Sequence, residues 1–361
     1  MRIRRAVIAL LAATLITTAC SDEPAGETTS AVTATEPTAA GPTATELTLM
    51  THDSFALSAG TLEQFTEATG IAVTVLNSGD AGSMLSQTIL TKDNPIADVI
   101  YGVDNTFLSR ALDEGVFLEY ESDLLADVPD ELIIDSRATP IDFGDVCVNY
   151  DRAAFTDIAP PETLIDLTDP MYKDMLVVQD PASSSPGLAF LLATIGTFGD
   201  DDDYTWKDYW ADLKSNGVLV TAGWTEAYYG EFSAGGDGDR PLVVSYASSP
   251  AVGVYFTDPP PAEAPTASML EGCFRQIEYA AILSGTDDPV AAGMLIDHLL
   301  SVPVQEDVPL NMFVYPANSQ AELPKVFTDF SPVPVAPIEI AVETIEQNRE
   351  TWINEWTDIL R

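Results

Sequence analysis

The stretch ELTLMTHDSFALSAGTLEQFTEATGIAVTVL, residues 46–76, decides the fold. Leu47 and Leu49 alternate with polar neighbours, the period of a strand with one buried face. Thr61-Leu-Glu-Gln64 carries the capping-box pattern and opens a helix with Leu62, Phe65 and Ala68 on one side. Gly70 stops that helix, because glycine takes the left-handed terminal turn without strain. Ile71–Leu76 is rich in β-branched residues and reads as a second strand. Strand, helix and strand in about thirty residues make a βαβ unit, which pairs its strands in parallel.

The alternation continues outward. A helix is expected from about Ser83, a strand over Ala97–Tyr101, and a helix capped by Asn105 that carries Phe107, Leu108, Ala111 and Leu112. Further strands are expected at Met175–Gln179, Val218–Thr221 and Leu242–Tyr246. Helices are expected from Pro186, around Trp206, Trp210 and Leu213, and over Asp288–Leu300 and Pro337–Leu360. Such a pattern predicts an α/β protein with mixed, mostly parallel sheets. Residues 46–361 outgrow a single core, so two lobes are expected. Ligands in such sheets bind beyond the carboxyl ends of the strands, here in a cleft.

Upstream, Met1–Cys20 has the form of a secretory leader. Arg2, Arg4 and Arg5 precede an apolar run, Ala6–Ile16, too short to cross a bilayer as a helix. Small residues then lead to Cys20, which resembles a bacterial lipoprotein box with Thr17 where Leu is usual. The expectation is removal of residues 1–19 and lipidation of Cys20, placing the protein outside the cytoplasm on the cell membrane. Residues 20–45, with one Val and no aromatic residue, read as a flexible tether.

Charge excludes several classes of partner. The chain has 57 acidic against 15 basic residues, a formal net charge of −42, which repels nucleic acid phosphates and anionic lipid alike. Only three Cys and two His remain for metal or disulfide scaffolds. The sequence contains no phosphate-cradling Gly-Lys loop, no HExxH and no G-x-S-x-G elbow. Two serine pairs stand out: Ser184-Ser185-Pro186 and Ser248-Ser249-Pro250 each follow a strand and open a helix. Serine at the cap with proline in the first turn is a strong helix start. Amides and hydroxyls at two such starts suit a phosphate or sulfate. Aromatics gather nearby, in Gly223-Trp224-Thr225-Glu226-Ala227-Tyr228-Tyr229, Tyr246 and Phe313-Val314-Tyr315. With Asp53, Asp80 and Asp104 at strand ends, they suit a flat organic cation.

Taken in order, His52-Asp-Ser-Phe55, Ala97–Asn105, Pro140–Gly144, Gln179–Gly187, Gly223–Tyr228, Val244–Pro250, Tyr315–Ala317 and Trp352–Trp356 resemble the thiamine-binding proteins of bacterial ABC importers. These belong to a wider extracellular solute-binding family that includes iron carriers. The resemblance implies a two-lobed periplasmic-binding-protein-like fold of type II, with 46–148 plus 265–308 as one lobe and 149–264 plus 309–361 as the other. It also implies a monomer that carries thiamine or its phosphate esters to a permease and its ATPase, with no cofactor, metal or catalysis. Carried over by position, the ligand contacts are Asp80, Ala81, Ser184, Ser185, Trp224, Tyr246, Ala247, Ser248, Ser249 and Pro250. His52, Asp53, Asp104, Tyr228, Phe313 and Tyr315 are further candidates. His52 stands where the family has Tyr, and Phe313 where it has Trp. A protonated His52 would repel the thiazolium.

Cys147 and Cys273 both fall in expected strands, and an outward-facing compartment permits their cross-linking. Rival readings are a ferric-ion carrier using the adjacent Tyr228 and Tyr229, a carrier of other organic cations such as polyamines, and a lipoprotein enzyme acting on thiamine or its phosphate esters.

Overall fold

Among the described residues the strand that opens at Glu46 is one of nine in a single mixed sheet. A computed structural model describes residues 41–201 and 203–361. The expected leader (1–19), Cys20 and the tether as far as residue 40 lie outside the described residues. The elements in chain order begin with β1 (Glu46–Thr51), α1 (Thr61–Thr69), β2 (Ala72–Asn77), α2 (Ala81–Leu90), β3 (Val99–Asp104) and α3 (Leu108–Asp113). Then come β4 (Thr139–Asp151), β5 (Leu176–Gln179), α4 (Ser185–Phe198), α5 (Trp206–Ser215), β6 (Leu219–Thr221), β7 (Leu242–Tyr246) and α6 (Pro250–Tyr255). The chain closes with β8 (Thr266–Ile282), α7 (Pro289–Leu300), α8 (Val302–Asn311), β9 (Tyr315–Pro316), α9 (Lys325–Phe330) and α10 (Val342–Leu360). Among the described residues no helix is long and apolar enough to cross a membrane.

The strands run in the order β2-β1-β3-β8-β4-β7-β5-β6, with β9 beside β4. The two flanks, β2-β1-β3 and β7-β5-β6, pair in parallel as the βαβ pattern requires. The centre is antiparallel throughout, which the alternation did not disclose. Its cause is length. β4 and β8 pair from Thr139↔Ala280 to Asp151↔Thr266, so they run through both halves of the protein. Midway the register jumps: Val146 faces Phe274, but Val148 faces Met269. The extra β8 residues bend away there, with Gly272 at φ 71°. Cys147 and Cys273 are joined by a disulfide at this break, Cα atoms 4.5 Å apart.

Local signals set most element ends. Gly70 adopts the left-handed conformation, φ 78°, and its amide donates to the Thr66 carbonyl. α2 begins at Ala81 rather than Ser83, because Asp80 caps it and accepts from the Ala81 amide at 2.7 Å. Asn105 does not cap α3. Its side chain is held by β8 instead, accepting from Ile277 N and donating to Arg275 O, and α3 starts three residues later. α10 begins at Val342 rather than Pro337, since Ile338 N donates to Cys273 O as an extended segment.

The core is apolar on both sheet faces. α4 is buried from Ser185 to Ile195, and α5 sets Trp206, Trp210 and Leu213 against it. α10 packs on α5 through Trp356 against Trp210, and reaches α3 where Arg349 donates to Thr106 O and Ser109 Oγ. Asp288, which caps α7, also accepts from Ala44 N at 2.7 Å and Thr43 Oγ1 at 3.0 Å, so the last residues of the expected tether are fastened to the fold.

Candidate functional site

At the carboxyl ends of β1, β6 and β7 the two flanks leave a cavity of about 260 Å³. One side comes from the segment after β1 (His52 to Ala56) and the start of α2 (Asp80, Ala81). The other comes from the start of α4 (Ser185, Pro186), the turn after β6 (Trp224, Thr225, Tyr229) and the β7–α6 junction (Tyr246, Ser249, Val252). Glu278 of β8 and the Asn311–Val314 segment complete it. This is where sheets of this kind gather ligands.

Asp80 ties the two sides together. Its carboxylate accepts from Ala81 N at 2.7 Å, Ser185 N at 3.3 Å and Trp224 N at 2.9 Å. Removal from water raises its carboxyl above the ordinary value, while those amides pull it down. Two further bonds cross nearby: Gly82 N to Ser183 O at 3.1 Å, and Ser54 Oγ to Thr225 Oγ1 at 3.0 Å. These bonds join the two sides of the cavity.

Trp224 is held by contacts within the protein. Its indole Nε1 donates to Ser245 Oγ at 2.9 Å, and one ring face lies on Tyr228, centroids 4.8 Å apart and 18° from parallel. Only the other face is left for the cavity. Tyr246 begins a hydrogen-bonded row: its hydroxyl donates to Gln276 Oε1 at 3.0 Å, and Gln276 Nε2 donates to Glu278 Oε1 at 2.8 Å. His52 Nε2 closes the row at 3.2 Å from Glu278 Oε2. Burial lowers the His52 pKa, but the Glu278 carboxylate outweighs it and lifts the imidazole to about 9. Gly102, at φ 103°, makes room for this ring, since a Cβ there would run into it.

Beneath lie two more carboxyls. Burial pushes Asp104 up to about 7; its Oδ1 accepts from Thr106 Oγ1 and Phe107 N while its Oδ2 has no partner among the described residues. Burial and the nearby Glu278 raise Asp142 well above the carboxylate range, and Tyr101 donates to it. No Lys or Arg is among the described lining residues.

Of the residues singled out in the sequence, the cavity gathers His52, Asp53, Asp80, Ala81, Ser185, Trp224, Tyr246, Ser249 and Phe313. The others stand behind it. Ser184 is buried, its hydroxyl toward Asp80 but short of a closed hydrogen bond. Ala247 packs on the Cys147–Cys273 bridge, and Ser248 Oγ donates to Phe313 O. Pro250 belongs to a separate surface groove, Asp104 is fully buried, and Tyr315 stacks on Phe143. Tyr228 sits under Trp224 in a small core with Val177, Phe232 and Val243, so the two adjacent tyrosines do not face the cavity as a pair. The capping hydroxyls are differently used than expected: neither Ser184 nor Ser249 caps its helix, and Ser249 Oγ bonds Ser245 Oγ at 2.9 Å. α6 is only six residues long, a weak dipole. Tyr229, marked in the sequence only as the neighbour of Tyr228, lines the cavity alone, while Glu278 and the Asn311-Met312 pair went unremarked in the sequence. Glu278 had only its place in the β-branched and aromatic run Phe274–Ile282 to distinguish it.

The model of the family described as bacterial extracellular solute-binding protein matches residues 94–333. The chain belongs to this family. Its relatives include the thiamine-binding periplasmic protein of Escherichia coli, 30% identical over 317 residues, which is 86% of this chain and 92% of the relative. The thiamine-binding periplasmic protein of Brucella abortus is 31% identical over 320 residues, 86% of this chain and 91% of the relative. Among solved structures, a periplasmic thiamin binding protein superposes with TM-score 0.78 at 26% identity, covering 88% of this chain and 96% of that one. A ferric binding protein from Campylobacter jejuni, at TM-score 0.68 and 18% identity over 87% of this chain and 99% of that one, shares the fold. The two-lobed architecture of solute-binding proteins is thus the architecture of this chain, and the family is extracytoplasmic.

Proposed function

We propose that this solute-binding protein captures thiamine in the cavity beside Trp224 and delivers it to a membrane permease driven by a separate ATPase. The observation that carries the reading is the lining itself: indole and phenol faces, the carboxylates Asp53, Asp80 and Glu278, and no Lys or Arg among the described residues. Such a surface attracts a flat cation through ring faces and counter-charges. A volume just under the ~300–1,000 Å³ of common small-molecule sites suits a compact one. Relatives that are thiamine-binding periplasmic proteins, matched over 86% of this chain, point the same way.

In this reading Trp224 and Tyr246 face the rings, the acidic groups balance the charge, and Ser185 with Ser249 meets the polar tail. Residues 46–148 with 265–308 form one lobe and 149–264 with 309–361 the other, swinging on β4 and β8. Cys20, once lipidated, holds the monomer at the membrane. Catalysis has no role. The ferric alternative loses its main support with Tyr228 buried. Calorimetric titration tests the proposal: thiamine gives a one-site isotherm, while ferric ion and spermidine give none. Absence of heat with thiamine, or a tighter isotherm with spermidine, would overturn it.

A further inference from the structure

The cavity has one carboxylate that is both walled in and already committed. Glu278 is 8% exposed, and its oxygens are taken by Gln276 Nε2 at 2.8 Å and His52 Nε2 at 3.2 Å. His52 is 9% exposed and lines the same cavity. We propose that Glu278 is the counter-ion of the captured cation, and that His52 occupies this role until the ligand arrives and then gives up its proton. The proposal rests on the reading of the cavity as an organic-cation site.

The groups around His52 come from every neighbouring element. Glu278 faces it from β8, Asp142 from β4, Asp80 from the start of α2 and Tyr101 from β3, its ring 6.0 Å away; Asp53 follows it in the chain. Tyr101 donates to Asp142, whose carboxyl is raised, and Asp80 is tied to three amides, which leaves Glu278 as the partner of the imidazole. Without ligand the pair is neutral overall, so the buried carboxylate is not left unpaired. A thiazolium entering the cavity brings a second positive charge to the same carboxylate. Like charges at such range oppose each other strongly where water is excluded. The imidazole relieves this by losing the proton on Nδ1 to the buffer. The neutral ring keeps its Nε2–H and its bond to Glu278. One N–H bond breaks, one buffer molecule is protonated, and the ligand's charge replaces that of the imidazolium.

The consequence is a proton released on capture, with affinity rising as pH rises. Calorimetry of the protein with thiamine at about pH 7.4, a value near the reach of a lifted histidine, is run in PIPES and in Tris, whose ionisation heats differ. The expected difference corresponds to about one-half to one proton released per thiamine. Equal heats, or proton uptake as would follow from protonating the ligand's own aminopyrimidine, would overturn the proposal. His52→Tyr keeps a donor without the charge and is expected to bind thiamine with no release; release persisting in that variant would contradict the assignment. Glu278→Gln is expected to weaken binding by about tenfold or more, and unchanged affinity would also contradict it. No heat with thiamine in either buffer would instead sink the thiamine reading itself.

Discussion

Replacing Trp224 by Ala removes a ring face whose position is secured by the protein's own contacts. The indole is held by its Nε1 bond to Ser245 and by stacking on Tyr228, and its own amide is bound to Asp80. Little side-chain freedom is left to lose on capture, so the attraction between ring and cation is not offset by ordering. For a partly desolvated cation that attraction is worth about 1–2 kcal/mol, which raises Kd roughly 5- to 30-fold. Trp224→Phe keeps a smaller face but loses the bond to Ser245, and its effect should fall below that of Ala. The assay is titration calorimetry on variants whose circular dichroism and melting behaviour show an intact fold. A folded Trp224→Ala protein that binds thiamine as tightly as the parent would refute the reasoning.

Asp80→Ala frees three backbone amides on two sides of the cavity, and charge-assisted bonds of this kind are worth about 1.5–3 kcal/mol each when buried. Small-angle scattering should report a more open molecule and calorimetry at least a tenfold loss of affinity; an unchanged profile and Kd would count against the closing role. Replacing Cys147 and Cys273 by Ser removes a link across 126 residues of chain and should cost about 2–5 kcal/mol of stability by denaturant titration. Denatured parent protein should show no free thiol from this pair. The Asp104 carboxyl, lifted to about 7 by burial, binds a proton in the folded state that the unfolded chain has released above about pH 4. Stability contributed by this group therefore falls as pH rises from about 4 through about 7. Asp104→Asn should consequently raise the melting temperature more at pH 8 than at pH 5, and equal shifts would refute the assignment.

Where structure follows from neighbours in sequence, it could be read directly. The β1–α1–β2 unit, the Gly70 stop, and the starts of α4 and α6 at Pro-containing turns all follow from local periodicity and backbone preference. The centre of the sheet could not be read so. β4 and β8 owe their length and antiparallel pairing to each other across more than a hundred residues, and the break at Cys147 depends on a turn at Gly272. The site divides the same way. Trp224 and Tyr246 were marked by ring chemistry beside strand ends. Glu278 was hidden, because one acid among 57 carries no signal until His52 and Gln276 are folded onto it. The serine pairs located the helix starts correctly, yet the partners of their hydroxyls are set by tertiary contacts: Ser248 serves Phe313 O and Ser249 serves Ser245.

The most direct test of the account is a crystal structure of the protein grown with saturating thiamine. The vitamin should lie in the cavity with its charged ring against the exposed face of Trp224 and with Glu278 on its positive side. Thiamine bound elsewhere, or seated there with its charge turned away from both Trp224 and Glu278, would contradict the central claim.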